Sequence, residues 1–244
     1  FRSVIRRDLG AFEVAPPEDR PEIAAWQVPT TRKVRLDDNP DSDAAVWELP
    51  SRGMKTDAAL RVEMARGEYE GCQVVFRVRD ALRRLSYTVE DLRNVESNSL
   101  FPKEGLEILQ VGYVFTRDPV RYEVERMGWW PDALLPVEQM FARPGECMPV
   151  WINLKSSRET RAGTYRGRLT VKAEGVVAGE IPLEVTVHDA VLPESTTIRT
   201  AFTTAEGLFA EIHGGKLTDS LEMKYHTFVA EHRLNPDNIY RNRP

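Results

Sequence analysis

The sequence predicts a mainly β chain: a two-sheet antiparallel β-sandwich followed by a βα unit that opens an α/β domain. Three observations carry this. Residues 143–171 read as two strands of period two joined by a polar loop, with Val150, Ile152 and Leu154 alternating with Trp151, Asn153 and Lys155, and Tyr165, Leu169 and Val171 beyond the turn. Strand candidates of this kind recur up to Leu192, joined by Gly/Pro-rich turns and without a convincing amphipathic helix between them, which favours sheets packed face to face. After Leu192-Pro193 the period changes to that of a helix.

Taken in order, residues 1–20 mix a short apolar stretch with Pro16-Pro17 and form a lead-in segment; residues 21–192 make the sandwich and 193–244 the βα unit. Ile23 to Val34 reads as a Trp-containing strand, and Arg35 to Thr56 as a polar, proline-punctuated surface loop. Leu60, Val62 and Met64 alternate, and Cys72 to Val78 follows beyond a Gly-bearing turn. Leu85, Tyr87 and Val89, then Ile108 to Phe115, then Ile181 to Val187 complete the strands. Gly163 supplies a residue free to take positive φ, and Gly167 lets a neighbouring backbone approach closely. Tyr165, between them, resembles the corner tyrosine of sandwich folds and is read as a core anchor whose hydroxyl caps a loop. Thr197 to Thr203 reads as a strand. Leu221, Tyr225, Phe228, Val229 and His232 take helical spacing, with Asp219 and Glu222 as the capping pair and Asn235-Pro236 as the stop. One such unit cannot bury its own apolar faces, so self-association through it is expected.

Composition narrows the function. With 244 residues, 41% hydrophobic content and 33 basic against 38 acidic side chains, the chain is an ordinary globular protein of net charge −5. The signs are interspersed, so nucleic acid is not an expected partner. No apolar run approaches the roughly 20 residues of a membrane helix, and no membrane span is expected. No signal peptide opens the chain, but Phe1 in place of Met leaves room for upstream sequence, so that absence decides nothing. Cys72 and Cys147 are expected to be buried free thiols, and no zinc-ligand spacing exists.

Several short stretches, in combination, resemble the N-terminal sandwich of glycoside hydrolase family 123. They are Ala-Arg-Gly-Glu-Tyr-Glu-Gly-Cys-Gln at 65–73, Val-Gly-Tyr-Val at 111–114, Trp-Trp-Pro-Asp-Ala-Leu-Leu-Pro at 129–136, Ala-Arg-Pro-Gly-Glu at 142–146 and Ala-Gly-Thr-Tyr-Arg-Gly at 162–167. Cys72 and Cys147 depart from the pattern, standing where an aromatic and a polar residue are usual. The resemblance implies that 197–202 begins the first strand of a (β/α)8 barrel, truncated in this chain. It further implies a bacterial, secreted or periplasmic parent enzyme that hydrolyses β-linked N-acetylgalactosamine with the substrate's own acetamido group as nucleophile, an exception to the two-carboxylate scheme. No cofactor is implied, and the partner is a glycan or glycoconjugate. The expected catalytic Asp-Glu dipeptide occurs nowhere in the 244 residues, so the chain reads as a non-catalytic accessory fragment. The alternative is a non-catalytic carbohydrate-binding or cell-surface interaction module.

Other chemistry is sparse. Asp37, Asn39, Asp41, Asp43 and Glu48 match the calcium-loop pattern at positions 1, 3, 5, 7 and 12, but Ser42 stands where Gly is required and Pro40 lies inside, so an acidic, solvated loop is the favoured reading. His213-Gly214-Gly215-Lys216 lacks the companions of either an esterase oxyanion loop or a phosphate loop. His226 and His232 are off any metal-ligand spacing. Trp129 and Trp130, with Asp132, are the candidate sugar-binding residues. Burial as glue between apolar surfaces is the favoured reading, since Leu134, Leu135 and Pro136 continue an apolar segment.

Overall fold

The computed structural model describes residues 22–49, 58–116, 127–136 and 140–237; the lead-in segment 1–20 lies outside them. The chain divides into two compact units, Phe1–Leu192 and Pro193–Pro244. In the first run β1 (Ile23–Val28), β2 (Val46–Leu49), β3 (Leu60–Arg66), β4 (Tyr69–Val78), β5 (Leu82–Val89), β6 (Arg93–Asn94), β7 (Leu106–Thr116), β8 (Gly128–Pro136), β9 (Met140–Ala142), β10 (Cys147–Lys155), β11 (Gly163–Ala173) and β12 (Val176–Val191). They form two sheets, in the order β2-β1-β4-β10-β7-β8 and β3-β12-β11-β5-β9, with β6 also paired to β11.

The alternation in the sequence sorts side chains between two cores. Ile23, Ala25, Cys72, Val74, Phe76, Val150, Ile152 and Leu154 of the first sheet meet Leu60, Val62, Met64, Leu85, Leu169, Val171, Ile181, Leu183 and Val185 of the second in one buried cluster. Phe76 and Tyr87 pack across the sheets with ring centroids 4.6 Å apart. The opposite phase of β1, β4 and β10 turns Trp26, Val28, Val75 and Cys147 outward into a smaller cluster, which Val34 of the following loop covers. That loop is held by its backbone: Gln73 Nε2 donates to the Arg32 carbonyl (3.1 Å) and the Tyr113 hydroxyl to the Val34 carbonyl (3.0 Å).

Tyr165 is fully buried, and its hydroxyl donates to the Arg161 carbonyl at 2.8 Å, the corner bond read from the sequence. Gly163 takes φ +126°, and a Cβ there would meet Asn94 Nδ2 at 2.7 Å. Gly167 lies so close to the loop before β6 that a Cβ would meet Leu92 Cδ2 at 2.7 Å.

The pairing corrects the expectation in three places. β3 runs parallel to β12, with Leu60 opposite Leu183 and Val62 opposite Val185, whereas the remaining strand pairs of both sheets are antiparallel. The stretch expected to be a loop contains β2, because Trp47 and Leu49 bury on the core side while Glu48 stays exposed, and Trp47 Nε1 donates to the Ala58 carbonyl. The expected strand 197–203 shrinks to β13 (Phe202–Thr203), whose ladder partner β14 (Pro236–Asp237) offers two residues, the first of them without an N–H.

The second unit is β13, α1 (Glu206–Ile212), α2 (Asp219–Glu231) and β14, with the two strands parallel and the helices between them. The sequence reading missed α1. Asn235 ties the strand starts together, its Oδ1 accepting from the Thr200 N–H (3.3 Å) and its backbone N–H donating to Thr200 Oγ1 (2.9 Å). The cap of α2 is Thr218, extended at ψ 153° with Oγ1 accepting from the Leu221 N–H, one residue before the expected Asp219. Within this unit Val229 is buried, whereas Ile198, Phe202, Leu208, Ile212, Met223 and Phe228 are exposed.

Candidate functional site

The tryptophan pair lies on β8, one of the two edge strands of the first sheet among the described residues. Its register on β7 sets Phe115 opposite Trp129, Val114 opposite Trp130 and Tyr113 opposite Pro131. Successive residues of a strand point to opposite faces, so Trp129 and Trp130 do not form one platform. Trp129 meets Phe115 edge to face, with centroids 5.1 Å apart. Both indoles are half-buried, Asp132 is exposed and Leu134 is 41% exposed. The expectation that this apolar segment is buried is therefore corrected: an edge strand has a neighbour on one side only, and the sequence does not say which strand lies at the edge.

The acidic loop is an arginine site rather than a cation cage. Arg32 Nη1 bridges both carboxylate oxygens of Asp41 (2.8 and 2.7 Å), and that bond raises the guanidinium pKa. Arg77 donates to Asn39 Oδ1 (3.0 Å) and to the Asp38 carbonyl, while Asp38 Oδ2 accepts from the Arg35 N–H. Asp37 and Asp43 are exposed, and Glu48 faces outward on β2 opposite Ala24. Among the described residues no three His, Cys, Asp or Glu side chains are grouped to hold a metal ion. Of the five residues of the calcium pattern, Asn39 and Asp41 turn their oxygens to guanidinium groups, which is the geometry of an acidic surface loop held by arginines.

Both cysteines are free and buried. Burial pushes the Cys72 thiol up to about 12. It pushes Cys147 up to about 11, with the Arg77 charge opposing, and the Cys147 thiol donates to the Asp38 carbonyl at 3.1 Å. Such thiols are poor nucleophiles.

Apart from 129–136, the motifs that carry the family pattern hold turns and loops in place. Ahead of β4, Gly67 takes φ +76°, Glu68 accepts from the Ala65 N–H, and Ser156 Oγ bridges the Glu68 N–H (3.1 Å) and the Ala65 carbonyl (2.7 Å). Gln73 fastens the loop described above, and Gly145 donates to the Val78 carbonyl at 3.1 Å. In the second unit His213 bonds the Tyr225 hydroxyl at 2.7 Å, and Tyr225 stacks on Phe209 at 4.1 Å. His232 Nδ1 bonds the Phe228 carbonyl, and His226 lies 3.9 Å from Glu222. These contacts close turns and helix ends. Thr204 and Asp237, which sequence reasoning passed over, meet at the carboxyl ends of the two parallel strands, where the Thr204 N–H donates to the Asp237 carbonyl at 3.0 Å.

The family model of the glycoside hydrolase 123 N-terminal domain matches residues 48–173, just over half of the chain. The chain belongs to that family. A family 123 glycoside hydrolase from Clostridium perfringens, studied for glycolipid glycan hydrolysis, matches in structure with a TM-score of 0.61 and 16% identity. The match covers 71% of this chain and 31% of that enzyme, so the chain spans under a third of its relative. At that identity the likeness shows the fold. The PapD-like domain 7 of human CEP192 matches at a TM-score of 0.32 and 7% identity over 59% of this chain and 94% of that one, too low to carry an argument. No curated protein matches. The glycoside hydrolase 123 match ends within β11, and the parallel β13 and β14 lie outside it.

Proposed function

We propose that this chain is the accessory sandwich and the opening β-α-β unit of a secreted or periplasmic bacterial glycoside hydrolase acting on β-linked N-acetylhexosaminides, N-acetylgalactosamine foremost. The family match over residues 48–173 carries this reading. In it, substrate-assisted retaining hydrolysis is performed by an Asp-Glu pair on a later barrel strand, outside these residues. The sandwich is non-catalytic. Parallel β13 and β14 with two helices between them supply the start of a barrel, and the exposed Phe202, Met223 and Phe228 await its continuation; without it they bring two copies of the chain together. The test is to express the reading frame through and beyond residue 244 and measure release of N-acetylgalactosamine from an aryl β-glycoside. The longer protein cleaves it and the 244-residue chain does not. Cleavage by the short chain, or a downstream sequence without an Asp-Glu pair, overturns the reading.

A second reading, glycan binding by the sandwich itself, is favoured by the half-buried Trp129 beside Phe115 on an edge strand next to the exposed Asp132. An indole face stacks on a sugar ring, and a carboxylate takes sugar hydroxyls. Retardation of the chain in a glycan-containing gel, abolished by Trp129→Ala, supports it; equal mobility of both proteins removes it.

A further inference from the structure

β3 is an edge strand of the second sheet: β12 flanks it on one side, and no strand lies beyond it among the described residues. Such an edge is a template on which another extended chain can pair. Here side chains occupy it. Gln27 of β1 meets Arg61 with both ends of its amide, Nε2 donating to the Arg61 carbonyl (2.9 Å) and Oε1 accepting from the Arg61 N–H (3.0 Å). A primary amide carries the donor and the acceptor of a peptide group, so these are the two bonds that a residue of a neighbouring strand would make. Two residues further along, Glu68 accepts from the Ala65 N–H and Ser156 Oγ donates to the Ala65 carbonyl at 2.7 Å. Backbone groups of every second residue of a strand share a side, so the Glu63 N–H and carbonyl lie on the same edge, between the two closed positions.

The strand itself sets what would pair there without Gln27. Two copies of β3 running antiparallel about a twofold axis through Val62 place Arg61 of each opposite Glu63 of the other. These residues present their backbone to the edge, so they exchange both hydrogen bonds, and opposite charges come to lie side by side on the outer face. An axis through Glu63 would instead set two carboxylates against each other. The ion pairs that Arg61 and Glu63 now make, with Glu184 at 3.9 Å and His188 at 3.1 Å, hold exposed side chains and are weak.

We infer that Gln27 is a stopper on the open edge of β3, and that the partner it keeps out is a second copy of this chain adding through its own β3. The inference stands apart from the hydrolase reading. Arg61 is exposed, so water takes over its backbone groups when the amide is removed, and Gln27→Ala keeps the circular dichroism of wild type.

The test is sedimentation equilibrium of the 244-residue chain, in which association through the second unit is common to wild type and variants. Gln27→Ala associates at least about tenfold more tightly than wild type, because each contact gains several backbone bonds. Adding Glu63→Pro, which sets a residue without an N–H on the edge, returns the constant to that of wild type. A folded Gln27→Ala with the wild-type constant overturns the inference, and so does tighter association that Glu63→Pro leaves unchanged. If either variant fails to fold, amide exchange of dilute wild type decides: Arg61 and Ala65 exchange well behind Glu63, and an Arg61 amide as fast as that of Glu63 shows that nothing stops the edge.

Discussion

Tyr165 and Tyr87 are a natural pair for comparison, since both hydroxyls are inside the sandwich and only one does bonding work that the structure displays. Tyr165 donates to Arg161, whereas the Tyr87 hydroxyl has no partner among the described residues, and burial holds its pKa well above the ordinary value. Tyr165→Phe should therefore cost about 1–2 kcal/mol in urea unfolding, while Tyr87→Phe should be neutral or stabilising. Equal losses for the two would show that the corner bond contributes nothing special. The thiols give a second prediction. Their folded pKa values, about 12 and about 11, lie above the ordinary 9.0. The folded state then keeps protons that the unfolded state loses, so stability is full below pH 9 and falls as pH rises toward 11 and 12. Each thiol contributes a slope approaching about 1.4 kcal/mol per pH unit in that window. The melting temperature of wild type should drop more steeply from pH 9 to 10.5 than that of Cys72→Val, and parallel curves would contradict the assignment.

At the level of elements, the strands with regular alternation were legible: Leu60-Val62-Met64, Cys72 to Val78 and Ile181 to Val187 all fall inside observed strands because each buries one face in the core. What escaped was set by partners. β2 is four residues inside a polar stretch and is a strand because β1 accepts it as a neighbour. β8 is exposed because the sheet stops there, a fact of topology absent from its own residues. The candidate site shows the same division, since the tryptophans were visible in the sequence but their placement on opposite faces depends on register. The Thr204–Asp237 edge was invisible until β14 paired with β13. The start of α2 was misread by one residue because Asp219 and Thr218 both cap well and only the extended backbone of Thr218 tells them apart. Thr218→Ala should lower the stability of that helix by about 1 kcal/mol, and Asp219→Ala by less, read as amide exchange across residues 221–229. The reverse order would return the cap to Asp219.

For the molecule as a whole, the two units differ in how much apolar surface they hide. The sandwich buries two clusters of side chains, whereas Ile198, Phe202, Ile212, Met223 and Phe228 of the second unit are 75%, 51%, 65%, 63% and 62% exposed. Burying one such side chain is worth about 1.5–3 kcal/mol, so leaving several in water removes much of what orders a small unit. In a dilute sample of the 244-residue chain, amides of 202–231 should exchange with solvent well before those of β4, β10 and β11. Equal protection in both units would refute this.

The parallel pairing of β3 with β12 reaches into the time before folding is finished. Leu60, Val62 and Met64 leave the ribosome early, but Leu183, Val185 and Val187, their register partners, are made near the end of the sandwich. At about 5–20 residues per second, β3 stands on the nascent chain for on the order of ten seconds with its apolar row unmatched. The central strands β4 and β10, likewise far apart in sequence, cannot shelter it sooner than their own meeting allows. The second sheet is thus completed only when its last strand is made, and an arrest of translation before Val176 releases a chain in which β3 has no ladder partner.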